Sequence, residues 1–309
     1  NKKKPYLNTV FSDLKSMLLI PNYNRVDFVP YGAFKPAPKI RDTLNLFTGF
    51  PLEKDLDDCI TNEVFTTSMF FKHIKTHYCN SEERLWSYVL KWIAHIIQKP
   101  QERAMVNILL YGEQGTGKGT LNKFLDGLLG KNNCGFFANI DSFAGKFNME
   151  QQGKLFCFCD EVGDVADNKV HNIIKSKTTE DTLKIEPKGM DAYSVACYAR
   201  YVFASNYKYN VMIESNDRRW LSLQISSENM NDSVYWGKMF SEMTPAFYKS
   251  AFRYFADVDL KDFIVRDIRN VNTKIKTQQK LRGVVVEQFL KDVFNLEFEL
   301  LDMDDGLIE

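Results

Sequence analysis

Residues 112–120 read GEQGTGKGT. Gly112, Gly117 and Lys118 stand at the fixed positions of a glycine-rich loop that wraps nucleotide phosphates. The whole run Gly112, Glu113, Gln114, Gly115, Thr116, Gly117, Lys118, Gly119 and Thr120 is therefore a candidate phosphate cradle, its backbone N–H groups turned inward and Lys118 reaching the β and γ phosphates. The residue after that lysine is ordinarily Ser or Thr, which holds Mg²⁺, and here it is Gly119. Thr120 stands one residue further, about 100° round a helix. Either Thr120 takes over after a small rearrangement of the helix start, or water fills the place. A second run, LFCFCDE, ends in Asp160 and Glu161. Two carboxylates at the C-terminal edge of a buried strand lie where open parallel sheets bind ligands. Asp160 would hold Mg²⁺ through water, and Glu161 would orient and deprotonate the attacking water. A third run, YVFAS, delivers Asn206 to the same edge, where an amide can bond the γ phosphate or the water. In ESNDRRW, Arg219, with Arg218 as its rival, is the candidate cation for the transition state, supplied by a neighbouring subunit. Lys188 and Gly189 sit at the turn of a sequence that alternates on both sides, with Lys184 on its first arm. In a ring of subunits such tips would line a central pore and touch the phosphates of DNA.

Positioning these groups takes particular elements. VNILLYG (106–112), KLFCFCDE (154–161), RYVFASN (200–206) and WLSLQI (220–225) are short apolar runs, the pattern of strands buried on both faces of a parallel sheet. After the first, Leu121, Phe124, Leu125 and Leu128 follow i, i+3, i+4, i+7, and Gly130 stops the helix. Between the acids and Asn206, alternation around Pro187-Lys188-Gly189 predicts a β-hairpin. Upstream, SEERLWSYVLKWIAHIIQKP predicts a helix capped by Ser81 and ended by Pro100, with Leu85, Val89, Trp92, Ile93 and Ile96 on one stripe. Downstream, Thr244 and Pro245 are a cap and first position for another helix. The expected class is α/β, a P-loop sheet core flanked by helical segments: residues 1–100 a loop-rich lead-in and helical collar, 101–228 the core, and 229–309 a helical region ending in a basic, then acidic, solvated tail.

Composition narrows the partners. Forty basic and forty acidic residues cancel in a chain of 309, so nucleic acid must be met locally rather than through a global field. Six cysteines (Cys59, Cys79, Cys134, Cys157, Cys159, Cys197) include no C-x-x-C pair, which predicts reduced thiols in a cytoplasmic setting. His73, His77 and Cys79 lack a second cluster to complete a metal site. There is no membrane-spanning run or signal peptide to read, and a chain starting at Asn1 is expected to be a piece of something longer.

In this order the motifs resemble the superfamily 3 helicases of viruses, phages and plasmids. NLFTGF, YVLKWIAHIIQKP, YGEQGTGKGT, CDEVGD, IEPKG, FASN and DRRW are similar to the helicase part of phage and viral primase-helicases and primase-polymerases, over about residues 45–225. That resemblance implies an AAA+ type ATPase using ATP and Mg²⁺, assembling as a hexamer around single-stranded DNA and working with a primase or polymerase domain. It implies Lys118 as the Walker A lysine, Asp160 and Glu161 as the Walker B pair, Asn206 as sensor, Arg219 as the finger in trans and Lys188 as the DNA-gripping residue. The rival readings are another AAA+ machine, a nucleotide-dependent DNA-binding ring without motor activity, and a small-molecule kinase.

Overall fold

The computed structural model describes residues 23–56, 60–162, 168–206 and 218–268, with single positions at 271 and 293, and of Asn168, Lys169 and His171 only the backbone. The start of the lead-in, Cys59, Gly163 and Asp164 of CDEVGD, Asp217 of the paired-arginine run and most of the basic and acidic tail lie outside the described residues.

Two short parallel strands, β1 (Arg25–Asp27) and β2 (Thr43–Asn45), open the described chain. Helices α1 (Glu63–Thr66) and α2 (Met69–His73) follow, and α2 runs into a π-helical turn over Ile74–Tyr78. Helix α3 (Glu83–Gln98) is longer, and it differs from expectation at its start. Ser81 takes a left-handed φ of 57° and does not cap it; Glu82 holds the cap position without a side-chain bond. The helix also buries more than one stripe, because Trp86, Tyr88 and Leu90 are covered as well.

The central sheet has five parallel strands in the order β4-β5-β8-β3-β9. Four of them are the apolar runs of the sequence: β3 (Asn107–Tyr111), β5 (Phe156–Cys159), β8 (Arg200–Ser205) and β9 (Trp220–Gln224). The fifth, β4 (Cys134–Phe137), forms one edge and was not expected. Helix α4 (Thr120–Leu129) links β3 to β4 and ends at Gly130, whose φ of 86° suits glycine. Helices α5 (Ile140–Ala144) and α6 (Asn168–Thr179) flank β5 in sequence. The predicted hairpin forms from β6 (Thr182–Ile185) and antiparallel β7 (Tyr193–Ala196). Helices α7 (Ser233–Glu242) and α8 (Pro245–Asp257) close the fold, and the Thr244 hydroxyl accepts from the Phe247 N–H as the cap motif requires. Residues 261–268, expected to be mostly solvated helix, run as turns, and Val265 and Ile268 are buried.

Alternation along the strands divides the interior. Ile108, Leu110, Phe156, Phe158, Val202 and Ala204 face one apolar cluster, while Leu109, Cys157, Cys159, Tyr201 and Phe203 face another. The sheet is therefore covered on both sides, the condition for fully apolar strands. The first cluster runs from Phe28 to Ile268. Within it, Phe124 of α4 contacts Phe65, Phe70 and Phe247, with ring centroids 5.8, 4.3 and 5.9 Å away. The helix that begins at the glycine-rich loop is thus gripped by α1, α2 and α8 together.

Candidate phosphate-binding site

Because the strands are parallel, the C-terminal ends of β3, β5 and β8 open on one edge of the sheet, where such sheets bind ligands. The glycine-rich loop leaves β3 at this edge, Asp160 and Glu161 follow β5, and Asn206 follows β8. The loop starts against β8, with the Gly112 N–H bonded to the Ser205 carbonyl at 3.2 Å. Gly115 and Gly117 have φ of 85° and 86°, a region that favours glycine, so the turn of the loop depends on both. The Thr116 hydroxyl closes the turn on the Glu113 carbonyl at 2.9 Å.

Lys118 is buried, and its ammonium donates to the carbonyls of Gly112 (2.7 Å) and Glu113 (2.8 Å). Burial pushes its pKa down and the nearby Asp160 carboxylate pushes it back up. The lysine and the first of the two acids lie at the same edge of the sheet, though they are far apart in sequence. Asp160 also accepts the Glu161 N–H at 3.1 Å, and its own N–H bonds the Phe137 carbonyl of β4. Glu161 is exposed at a φ of 45°, an uncommon conformation for a residue with a side chain, and the next N–H is tied to Ala204 of β8. Asn206 is exposed at the same edge.

Helix α4 begins at Thr120, with Gly119 as its cap residue at φ −70° and ψ −11°. Thr120 is buried, whereas Gly119 is exposed and a Cβ placed there would meet nothing within 4 Å. The place of the usual hydroxyl is open space.

Arg218 and Arg219 precede β9 and lie at the opposite edge of the sheet, where the Arg219 carbonyl accepts the Asn107 N–H at the start of β3. A five-residue strand separates the two edges by about 15 Å, too far for either arginine to reach this chain's own loop. The base of the hairpin is at that edge too: Arg103 pairs with Asp181, and the Cys197 N–H bonds the Asp181 carbonyl. At the other end of the hairpin, Gly189 has a φ of 77°, and Lys188 and Gly189 are exposed. Lys184 is exposed and pairs with Glu186 at 3.7 Å. Lys177 is not available to a ligand: it is buried against Gln151 at 2.7 Å, and burial lowers its pKa to about 8.

His73 and His77 stack at 4.5 Å and bond Tyr235 and Asn229. Among the described residues no group of three His, Cys, Asp or Glu could hold a metal ion, no disulfide joins the five described cysteines, and no helix is long and apolar enough to cross a membrane. Two residues at the loop had no sequence signal. Tyr78 reaches it from the π-helical turn, with its hydroxyl 2.7 Å from the Gly117 carbonyl, and the Trp236 ring of α7 lies against Gly117. Only the three-dimensional packing brings them there.

The fold and site define an α/β protein with a glycine-rich loop at the edge of a five-stranded parallel sheet. Residues 110–219 match a family of unknown function (DUF5906). The chain is homologous to the DNA primase-polymerase of Nitratiruptor phage NrS-1, with 28% identity over 200 residues, 62% of this chain and 26% of that protein. Two structures of the NrS-1 C-terminal region in its apo form share the fold: TM-scores are 0.65 and 0.64 at 22% identity, covering 84% of this chain and 60% and 61% of theirs. The chain thus spans about a quarter of the length of the curated relative it matches.

Proposed function

We propose that this chain is the ATP-hydrolysing, DNA-translocating part of a phage replication protein, an AAA+ motor of the superfamily 3 helicase type. The observation that carries the reading is the glycine-rich loop at the end of β3, with the buried Lys118 ammonium held on its carbonyls at the same sheet edge where Asp160 follows β5. The likeness to a primase-polymerase supports a partner domain of that kind.

The residues fit ATP and Mg²⁺. Lys118 would exchange its two loop carbonyls for phosphate oxygens, and the loop amides would take the remaining charge. Asp160 would hold Mg²⁺, which when bound supplies positive charge against the phosphates; water at Gly119, or Thr120, would complete its shell. Glu161 would take the proton of the attacking water, and Asn206 would orient that water. Because Arg218 and Arg219 lie at the far edge, they would serve the loop of a neighbouring copy, which requires a ring such as a hexamer. The hairpin, with Lys188, Gly189 and Lys184, would meet single-stranded DNA in its centre.

The test is steady-state ATP hydrolysis with Mg²⁺, with and without single-stranded DNA. Turnover should rise with DNA, fall at least about a hundredfold in Lys118→Ala, and lose its DNA response but not its basal rate in Lys188→Ala. The second reading, a nucleotide-dependent DNA-binding ring without motor activity, is favoured by Gly119 alone. It requires nucleotide-dependent assembly with no turnover above the Lys118→Ala level.

A further inference from the structure

We infer that Tyr78 is a positioning residue of the glycine-rich loop, aiming the main-chain amides of Lys118 and Gly119 at the phosphates by holding the carbonyls on the other side of the same two peptides. This rests on the nucleotide-binding reading and names a residue outside the motifs on which that reading stands.

The argument starts from peptide planarity. In a trans peptide the C=O and the N–H point in opposite directions. The Gly117 carbonyl shares its peptide with the Lys118 N–H, and the Lys118 carbonyl shares its peptide with the Gly119 N–H. The Tyr78 hydroxyl donates to the Gly117 carbonyl at 2.7 Å and lies 3.3 Å from the Lys118 carbonyl. Both carbonyls are thereby drawn toward Tyr78, and both amides face away from it, at the N-terminus of α4 where an anion is stabilised.

The clamp is rigid. Tyr78 is 1% exposed and ends a π-helical turn, a feature frequent at functional sites. From the other side the Trp236 ring covers Gly117, where a Cβ would collide with it, and its indole N–H is fixed on the Asn229 carbonyl at 2.9 Å. Gly117 is therefore held between a hydroxyl and an indole. The Gly117 carbonyl also accepts the Thr120 N–H at 2.9 Å. Removing the hydroxyl alone leaves that carbonyl paired and loosens only its direction.

Tyr78→Phe keeps the ring and deletes the hydroxyl. The experiment measures the affinity of the purified protein for ATP and for inorganic tripolyphosphate by calorimetry, beside the thermal midpoint and the steady-state constants. Tyr78→Phe should lose affinity for both ligands by a similar factor, about five- to tenfold as for one buried hydrogen bond, with KM raised to match and kcat kept within about twofold. Unchanged affinity for both ligands, or a loss for ATP alone, would overturn the inference. A check on the unsubstituted protein is hydrogen exchange: the amides of Lys118 and Gly119 should slow when tripolyphosphate is added, and unaltered exchange there would also overturn it. If the unsubstituted protein and Lys118→Ala both fail to bind either ligand, the nucleotide-binding reading itself fails.

Discussion

Gly119 has a helical backbone conformation that any residue can adopt, and the space beside it is empty. Gly119→Ser should therefore be accepted with stability within about 0.5 kcal/mol, since Ser and Gly differ little at a helix cap. If the missing hydroxyl is what weakens the metal site, the variant should need several-fold less Mg²⁺ for half-maximal ATP binding; an unshifted Mg²⁺ titration would show that the hydroxyl is immaterial here. At this scale the sequence placed Asp160, Glu161 and Asn206 at the sheet edge because each follows the end of an apolar run, and Lys118 because the glycine-rich spacing that carries it follows another. Tyr78 was invisible for the opposite reason: it lies far from the loop in sequence, inside an unremarkable helical stretch, and its role depends on one distance.

Within the helices, two of the three imidazoles buried among the described residues, those shifted furthest, should set the response to acid. His73 in α2 is pushed down to about 3 by burial and by His77; His95 in α3 is pushed to about 3 by burial, with Arg200 and Lys99 adding to it. Both folded values lie below the ordinary histidine value, so the unfolded chain binds protons first as pH falls. The stability this confers is complete above about pH 6.5 and is lost progressively toward pH 3. The unfolding free energy from urea titrations should drop steadily between pH 7 and 5, by up to about 1.4 kcal/mol per pH unit for each histidine, and a level profile would refute the assignment. The elements themselves were unevenly legible. The buried strands and α4 announce themselves by uniform or periodic apolarity. Strand β4 does not: its four residues, Cys-Gly-Phe-Phe, follow two asparagines, contain a glycine and leave Phe136 half exposed, so only its pairing with β5 makes it a strand. The start of α3 misled for a related reason, since Ser81 has the right side chain for a cap but the wrong backbone.

Across the whole molecule, loop and arginines occupy opposite edges of one sheet, so the proposed site, which includes the arginines, calls for two copies of the chain. Lys118→Ala keeps the arginines and loses the loop lysine; Arg219→Ala does the reverse, and each alone should hydrolyse ATP at least about a hundredfold more slowly. Mixed together they should recover a fraction of wild-type turnover from interfaces that pair an intact loop with an intact arginine, and no recovery on mixing would rule out the shared site. A last feature works in the other direction, within a single copy. Strand β8 carries Asn206 beyond one end, and at its other end the buried Arg200 donates to His95 Nδ1 and to the carbonyls of Lys99 and Glu102 at the close of α3. Hydrogen-bonded to β5 on one flank and β3 on the other, the strand has no slack. It is a strut about 20 Å long, tied to the end of α3 at one end and reaching the edge of the glycine-rich loop at the other.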